Sequence, residues 1–214
     1  MRKFDYDLVV IGGGAAGIAG AMMAATAKKK VAIIEKDLIG GGNTISSFTQ
    51  LVAGRISQLL NQAREGSNVG LNSDQLKINL PSMYSEIQNR AEDFIETKQK
   101  ELAEAKVEVI KSTARFISPI EVAIDGKTIT ARKFLIASGT LLDTGEITGL
   151  EETGFITTEE LFLGLPRIPK VTLVVGAGQS GVEASEFLAN LGSSVILVDM
   201  NDRILPREDA EASK

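Results

Sequence analysis

The segment Val10-Ile11-Gly12-Gly13-Gly14-Ala15-Ala16-Gly17 has a counterpart 164 positions along the chain, Val174-Val175-Gly176-Ala177-Gly178-Gln179-Ser180-Gly181. Gly12, Gly14 and Gly17 align without a gap on Gly176, Gly178 and Gly181, and the acids Glu35 and Asp199 keep the same offset. One G-x-G-x-x-G carries little weight by itself. Two in register, each after an apolar run and each closed by an acid, point to two dinucleotide-binding βαβ units. The first glycine allows a sharp turn out of the strand, the second lets a pyrophosphate approach the backbone, and the third lets the helix pack close on the strand. The closing acid is placed to accept hydrogen bonds from an adenosine ribose.

Taken in order, Tyr6 to Ile11 reads as a strand buried on both faces, Ala15 to Ala27 as a helix, and Val31 to Ile34 as the next strand, ending at Glu35. Lys36 to Asn43 is a glycine-rich turn, and Thr44 to Ala63 is helical, with Leu51, Ile56, Leu59 and Leu60 as one apolar face. Arg64 to Leu80 reads as a loop. A second long helix from Ser82 to Ala105 carries the stripe Ile87, Ala91, Phe94, Ile95 and Leu102. The period then changes to two. Val107-Val109, Ala114-Phe116, Val122-Ile124 and Ile129 suggest short antiparallel strands, with Asp125-Gly126 as a hairpin turn. Phe134 to Ala137 is an apolar strand leading into Ser138-Gly139-Thr140, and Leu141 to Pro169 reads as a connector. In the second unit, Val171 to Val175 and Val195 to Val198 are strands around a helix that ends near Leu191. Two strands leave apolar faces and edges unsatisfied, so this unit reads as cut short and the chain as part of a longer protein.

Composition removes several kinds of chemistry. The 214 residues include neither cysteine nor histidine, so disulfides, thiol nucleophiles and imidazole bases are absent and no metal site is expected. The net charge of −5 gives no basis for a nucleic-acid partner. Leu8 to Ala27 is twenty residues without a charge, but five are glycines, and a strand, a turn and a buried helix account for it without a membrane span. The lack of cysteine fits a reducing cytoplasm.

With these residues in view, the chain resembles the FAD-dependent pyridine nucleotide–disulfide oxidoreductases, in the branch of mercuric reductase and dihydrolipoamide dehydrogenase. The likeness runs from Phe4 to Ser213 and corresponds to about the N-terminal half of a family member. It implies an α/β fold of Rossmann-like units: a parallel sheet with helices, plus a small antiparallel meander. Residues 1–149 would be the FAD-binding domain, and 150–214 the start of an NAD-binding domain. By this resemblance Ile11, Gly12, Gly14, Ala15, Ala16, Glu35 and Lys36 bind FAD, and Gly41, Gly42 and Asn43 sit near its pyrophosphate. The backbone of Ala114 would face the adenine. Ala137-Ser138-Gly139-Thr140 is similar to the segment where the family's chain leaves the FAD domain. Gly176, Gly178, Gln179, Ser180, Gly181, Glu183 and Asp199 would form the NADH site, and the carboxylate of Asp199 argues against NADPH.

The departures bear on the reaction. The family's two redox cysteines fall on Asn43 and Phe48, and the lysine that pairs with the glutamate equivalent to Glu183 falls on Val52. The expected activity is hydride transfer from NADH to flavin and on to a small acceptor other than a protein disulfide. A quinone, oxygen, another nicotinamide or an external thiol compound would serve. The alternative is a dinucleotide-binding protein without turnover, a sensor or assembly subunit. No catalytic residue is assigned. Glu183 reads equally as a nicotinamide-orienting group and as a helix-surface glutamate. The resemblance also implies a homodimer for the full-length protein.

Overall fold

Tyr6–Ile11 forms β1, Ala15–Thr26 forms α1 and Val31–Glu35 forms β2, so the first glycine turn does connect a strand to a helix. The computed structural model describes residues 3–66, 78–140, 142–145 and 147–214, and of residues 42–49 only the backbone. After β2 come α2 (Gly41–Glu65), α3 (Leu80–Glu104), β3 (Glu108–Lys111), β4 (Arg115–Ser118), β5 (Glu121–Ile124) and β6 (Lys127–Ile136). The rest comprises α4 (Leu150–Thr153), α5 (Thr158–Leu163), β7 (Val171–Val175), α6 (Gln179–Asn190), β8 (Ser194–Val198) and a 3-10 turn at Ala210–Ser213. Two compact units result: Met1–Ile45 with Asn89–Asp143, and Ser46–Gln88 with Thr144–Lys214. Among the described residues no helix is long and apolar enough to cross a membrane.

The first unit is a six-stranded sheet in the order β3-β2-β1-β6-β5-β4. Strands β3, β2, β1 and β6 run parallel, while β5 and β4 are antiparallel to their neighbours. Val10, Val31 and Ile33 cluster with Ile18 and Ala21 of α1 and Leu102 of α3. Val9, Ala32 and Ile34 cluster instead with Val122, Ile124 and Ala131 of the antiparallel arm. Alternate residues of the central strands are thus buried on both faces, which is why they read as continuous apolar runs. The Tyr6 hydroxyl donates to Glu108 Oε2 at 2.6 Å. Burial first, and Glu108 second, push this phenol up to about 12.

Several sequence expectations need correcting here. The Val107-Val109 segment is not part of the antiparallel meander: β3 pairs parallel with β2, from Ala32↔Glu108 to Glu35↔Lys111. It follows the helical crossover, and a period of two gives no information about partner or direction. Ile129 and Phe134 belong to one long strand, β6, antiparallel to β5 at its start and parallel to β1 from Ala131 onward. The turn at Asp125-Gly126 has φ of 42° and 75°, both positive as a two-residue type I′ hairpin requires.

Helix α2 begins at Gly41, three residues before the expected Thr44. Among its described side chains Ala53 and Ser57 are buried, whereas Leu51 is 71% exposed and Leu59 is also exposed. The expected apolar face was therefore wrong in two of its four members. Helix α3 starts at Leu80, and Pro81 is accommodated in its first turn, where no intrahelical N–H is needed.

In the second unit β7 and β8 pair parallel, and α6 packs against both. Ala184, Phe187 and Leu188 of α6 share a core with Ala53, Met83, Tyr84, Ile87, Leu161 and Phe162. The connector expected over 141–169 holds α5, whose start is a capping box. Thr157 accepts from the Glu160 N–H at 3.1 Å, and Glu160 accepts from the Thr157 N–H at 2.6 Å.

Candidate dinucleotide sites

In the order β3-β2-β1-β6, successive connections lead away from β1 in opposite directions. The C-terminal end of β1 is therefore a topological switch point, where ligands of open α/β sheets bind. Ile11 ends that strand and Gly12 follows with φ 105°. A Cβ on Gly12 would run into the carbonyl of Ala137, whose N–H donates to Ile11 O at 2.8 Å. A Cβ on Gly17 would strike the carbonyl oxygen of Gly12. At Gly14, by contrast, nothing lies within 4 Å of where a Cβ would be. Gly14 is also the N-cap of α1 and makes no side-chain cap bond, and Ala15 and Ala16 open the helix.

The second turn repeats this geometry. Gly176 has φ 102°, a Cβ on Gly181 would strike the Gly176 carbonyl, and the space at Gly178 is open. Gly178 caps α6 without a side-chain bond, and Gln179 and Ser180 open that helix.

The closing acids fasten the turns. Glu35 Oε2 accepts from the Gly13 N–H at 2.6 Å and Oε1 from the Asp37 N–H at 2.8 Å. Asp199 Oδ2 accepts from the Ala177 N–H at 2.6 Å and Oδ1 from the Asn201 N–H at 2.7 Å. Asp199 has a further donor: the Asn201 side-chain amide gives to Oδ1 at 2.6 Å. These bonds, the one from Ala177 foremost, hold the Asp199 carboxyl below its ordinary range. The carbonyl of the same turn residue is held too. Gly13 O accepts from the Gly40 N–H at 2.8 Å, and Ala177 O accepts from the Leu205 N–H at 2.7 Å.

Around the first turn the structure gathers most of the residues named from sequence. Gly40 bridges Gly14, and Gly41 and Gly42 form the start of α2. Ala137, Ser138 and Gly139 follow β6 beside Gly12. Half-buried Ala114 comes two residues after Ser112, whose N–H donates to Glu35 O at 3.1 Å. Lys36 is exposed and lies 3.7 Å from Asp37. The side chains of Asn43 and Phe48 lie outside the described residues.

In the second unit, Glu183 Oε1 accepts from the Gln179 amide at 3.0 Å, while Oε2 is buried without a hydrogen-bond partner among the described residues. Glu183 lines a groove of about 590 Å³ with Arg55, Gln58 and Glu186. Val52, at the family's lysine position, packs instead against the apolar core of this unit. Arg203 is engaged by the loop that follows Asp199. Its guanidinium donates to the carbonyls of Pro206 (2.9 Å), Glu208 (2.7 Å) and Asp209 (3.4 Å) and to Ser213 Oγ (2.7 Å).

Sequence reasoning missed the donors that hold the acids: the N–H groups of Gly13, Asp37, Ala177 and Asn201, and the side-chain amide of Asn201. The offset that aligns the glycines also aligns Asp37 with Asn201 and would have identified the last.

The pyridine nucleotide-disulphide oxidoreductase family model matches residues 6–214. The chain is 32% identical over 217 residues to a mercuric reductase of Bacillus cereus, covering 99% of this chain and 34% of that protein. It is 30% identical over 221 residues to a dihydrolipoyl dehydrogenase of Mycoplasma pneumoniae, covering 98% of this chain and 47% of the relative. It thus spans between a third and a half of these relatives. The flavoprotein disulfide reductase RclA of Escherichia coli, solved as a Cu(II) complex, superposes with a TM-score of 0.78 at 23% identity, covering 96% of this chain and 44% of that one. The chain belongs to the pyridine nucleotide-disulphide oxidoreductase family.

Proposed function

We propose that the chain binds FAD at the Gly12 turn and NADH at the Gly176 turn, as part of an oxidoreductase that passes electrons to an acceptor other than a protein disulfide. The observation that carries this reading is the doubled turn: two glycine elbows, each with an open second glycine and each clamped by the acid that ends the following strand. Residues 1–149 are the FAD side and 150–214 begin the NAD side. When bound, the flavin supplies the hydride acceptance and onward electron transfer.

The chain's own residues bind and orient. The first-turn N–H groups of α1 and α6 meet the pyrophosphates, and the space at Gly14 and Gly178 admits them. Each oxygen of Glu35 holds one protein donor and keeps a second acceptor position for a ribose hydroxyl. At the second turn, an ionised Asp199 repels a 2′-phosphate. Arg203, committed to the loop that follows, offers that phosphate no counter-charge. With no cysteine in the chain, no thiol relay operates within it. The acceptor is a small molecule, and the full-length protein works as a cytoplasmic homodimer.

A second reading, a dinucleotide-binding protein without turnover, is favoured by Val52, which packs against the apolar core and offers no charge to Glu183, whose Oε2 has no partner among the described residues. Anaerobic titration of the FAD-loaded protein with NADH separates the two. Bleaching of the yellow flavin band is expected. A band indifferent to NADH sinks the enzyme reading, and failure to retain FAD sinks both.

A further inference from the structure

The two clamps differ in how much acceptor capacity they leave. A carboxylate has about four lone-pair positions. Among the described residues Glu35 spends two, one on each oxygen. Asp199 spends three, because the Asn201 amide joins the Asn201 N–H on Oδ1, at 2.6 and 2.7 Å. The residue in the matching place of the first turn is Asp37, whose side chain has no proton to donate to Glu35 when ionised. A ribose presents two adjacent hydroxyls, which suits one free position on each oxygen of Glu35. Among the described side-chain hydrogen bonds, only Oδ2 of Asp199 retains such a position.

We propose that Asn201 is a latch on the second dinucleotide site: its side-chain amide occupies the acceptor on Asp199 that a ribose hydroxyl must take, so the nucleotide binds only by displacing it. This rests on the reading of the Gly176 turn as a dinucleotide site and deepens it. The latch lets the second site hold its carboxylate oriented while empty and release its nucleotide readily. That suits a cofactor that comes and goes, whereas the unlatched Glu35 suits one that stays. The amide competes only with the hydroxyls, so its removal tightens binding without altering the charge that discriminates against a 2′-phosphate.

The test is NADH binding to the 214-residue chain followed by nicotinamide fluorescence, with the wild-type signal lost on Asp199→Ala taken as the second site. Asn201→Ala is expected to tighten that component about three- to tenfold, the worth of one competing hydrogen bond. Corrected for the tighter NADH, the inhibition constant of ADP should fall in Asn201→Ala, and that of 2′,3′-dideoxy-ADP should stay at its wild-type value. NADPH, which has a phosphate where NADH has the 2′-hydroxyl, should gain less than NADH. Unchanged or weaker NADH binding by Asn201→Ala, with Asp199→Ala still abolishing it, overturns the latch and leaves the dinucleotide reading standing. So does an equal gain for the dideoxy competitor, which marks a structural effect. If Asp199→Ala leaves NADH binding untouched, or no variant binds NADH, the site reading fails and the latch with it.

Discussion

In the first unit the strand that enters the glycine turn lies inside a six-stranded sheet, and Val9 is fully buried; in the second, the matching Leu173 is 60% exposed. Strands β7 and β8 have α6 on one face, while Val171, Leu173, Val175, Ile196 and Val198 stand exposed. Yet the two turns agree in the φ of the first glycine, in the collision that forbids a side chain on the third, and in the acid's grip on the turn N–H. Turn geometry of this kind is therefore set by the local chain and its closing acid. Sheet burial is a separate property, and it does not reach the elbow.

The sharpest way to break that claim is to place one side chain at both elbows. Gly12→Ala meets a positive φ and the Ala137 carbonyl together, whereas Gly176→Ala meets the positive φ alone, with nothing within 4 Å. The first should cost about 3 kcal/mol, backbone strain plus overpacking. The second should cost about 1–2 kcal/mol. Gly17→Ala and Gly181→Ala, which strike equivalent carbonyls, should behave alike. Denaturant unfolding of the four variants checks this. Equal losses at Gly12 and Gly176 would mean that the second elbow is closed in by something beyond its own turn.

Next in size is the effect on ligands. Asp199→Asn removes the charge but keeps the shape, and it should narrow the preference for NADH over NADPH about tenfold, the scale of one charge-assisted interaction. Glu35→Gln should weaken FAD retention by a similar factor and leave NADH discrimination alone. A discrimination ratio that follows Glu35 rather than Asp199 would reverse the assignment of the two turns.

What could be read from sequence follows the same division. The elbows, their helices and their acids were legible because each is specified within about thirty residues and appears twice. The pairing of β3 with β2 was not, since a run such as Glu108-Val109-Ile110-Lys111 carries a period but no record of its neighbour. Helix α5 was hidden among the prolines and glycines of 141–169, although Thr157 and Glu160 spell a capping box and Leu161 and Phe162 are buried behind it. In α2 the largest apolar side chains proved a poor guide: small Ala53 and Ser57 face the core, and Leu51 faces water. Asn201 carries no signal of its own in the sequence, and only the geometry sets it against Asp37.

A smaller effect concerns pH. The Asp199 carboxyl is depressed in the folded chain from 3.8, by the Ala177 N–H first and then by Asn201. A depressed acid contributes stability that is fully present above its unfolded value and is lost as pH falls through the folded one. The second turn should therefore loosen below about pH 4, and Asp199→Asn should flatten that dependence. Amide exchange at Ala177 and Asn201 reads it directly. An acid-induced opening of equal size in Asp199→Asn would place its cause elsewhere.

The smallest expected change tests a further place where the repeat departs from its own pattern. The segment after each second strand returns to bond the turn carbonyl, through the Gly40 N–H in one unit and the Leu205 N–H in the other. Gly40 has φ 106°, which costs glycine nothing, but Leu205 is held at φ 50°, where a leucine Cβ crowds its own carbonyl. The second fastening therefore stores strain that the first avoids, and the Ala177 bond is what holds it. Leu205→Asn keeps the N–H and tolerates the left-handed conformation. It should stabilise the second unit by about 0.5 kcal/mol, after the loss of a half-buried leucine is set against about 1 kcal/mol of relieved strain. Leu205→Pro, which deletes the donor, should destabilise it. If Leu205→Asn weakens the fold as much as Leu205→Pro does, the leucine side chain rather than its N–H anchors the loop, and the likeness of the two fastenings ends at the backbone.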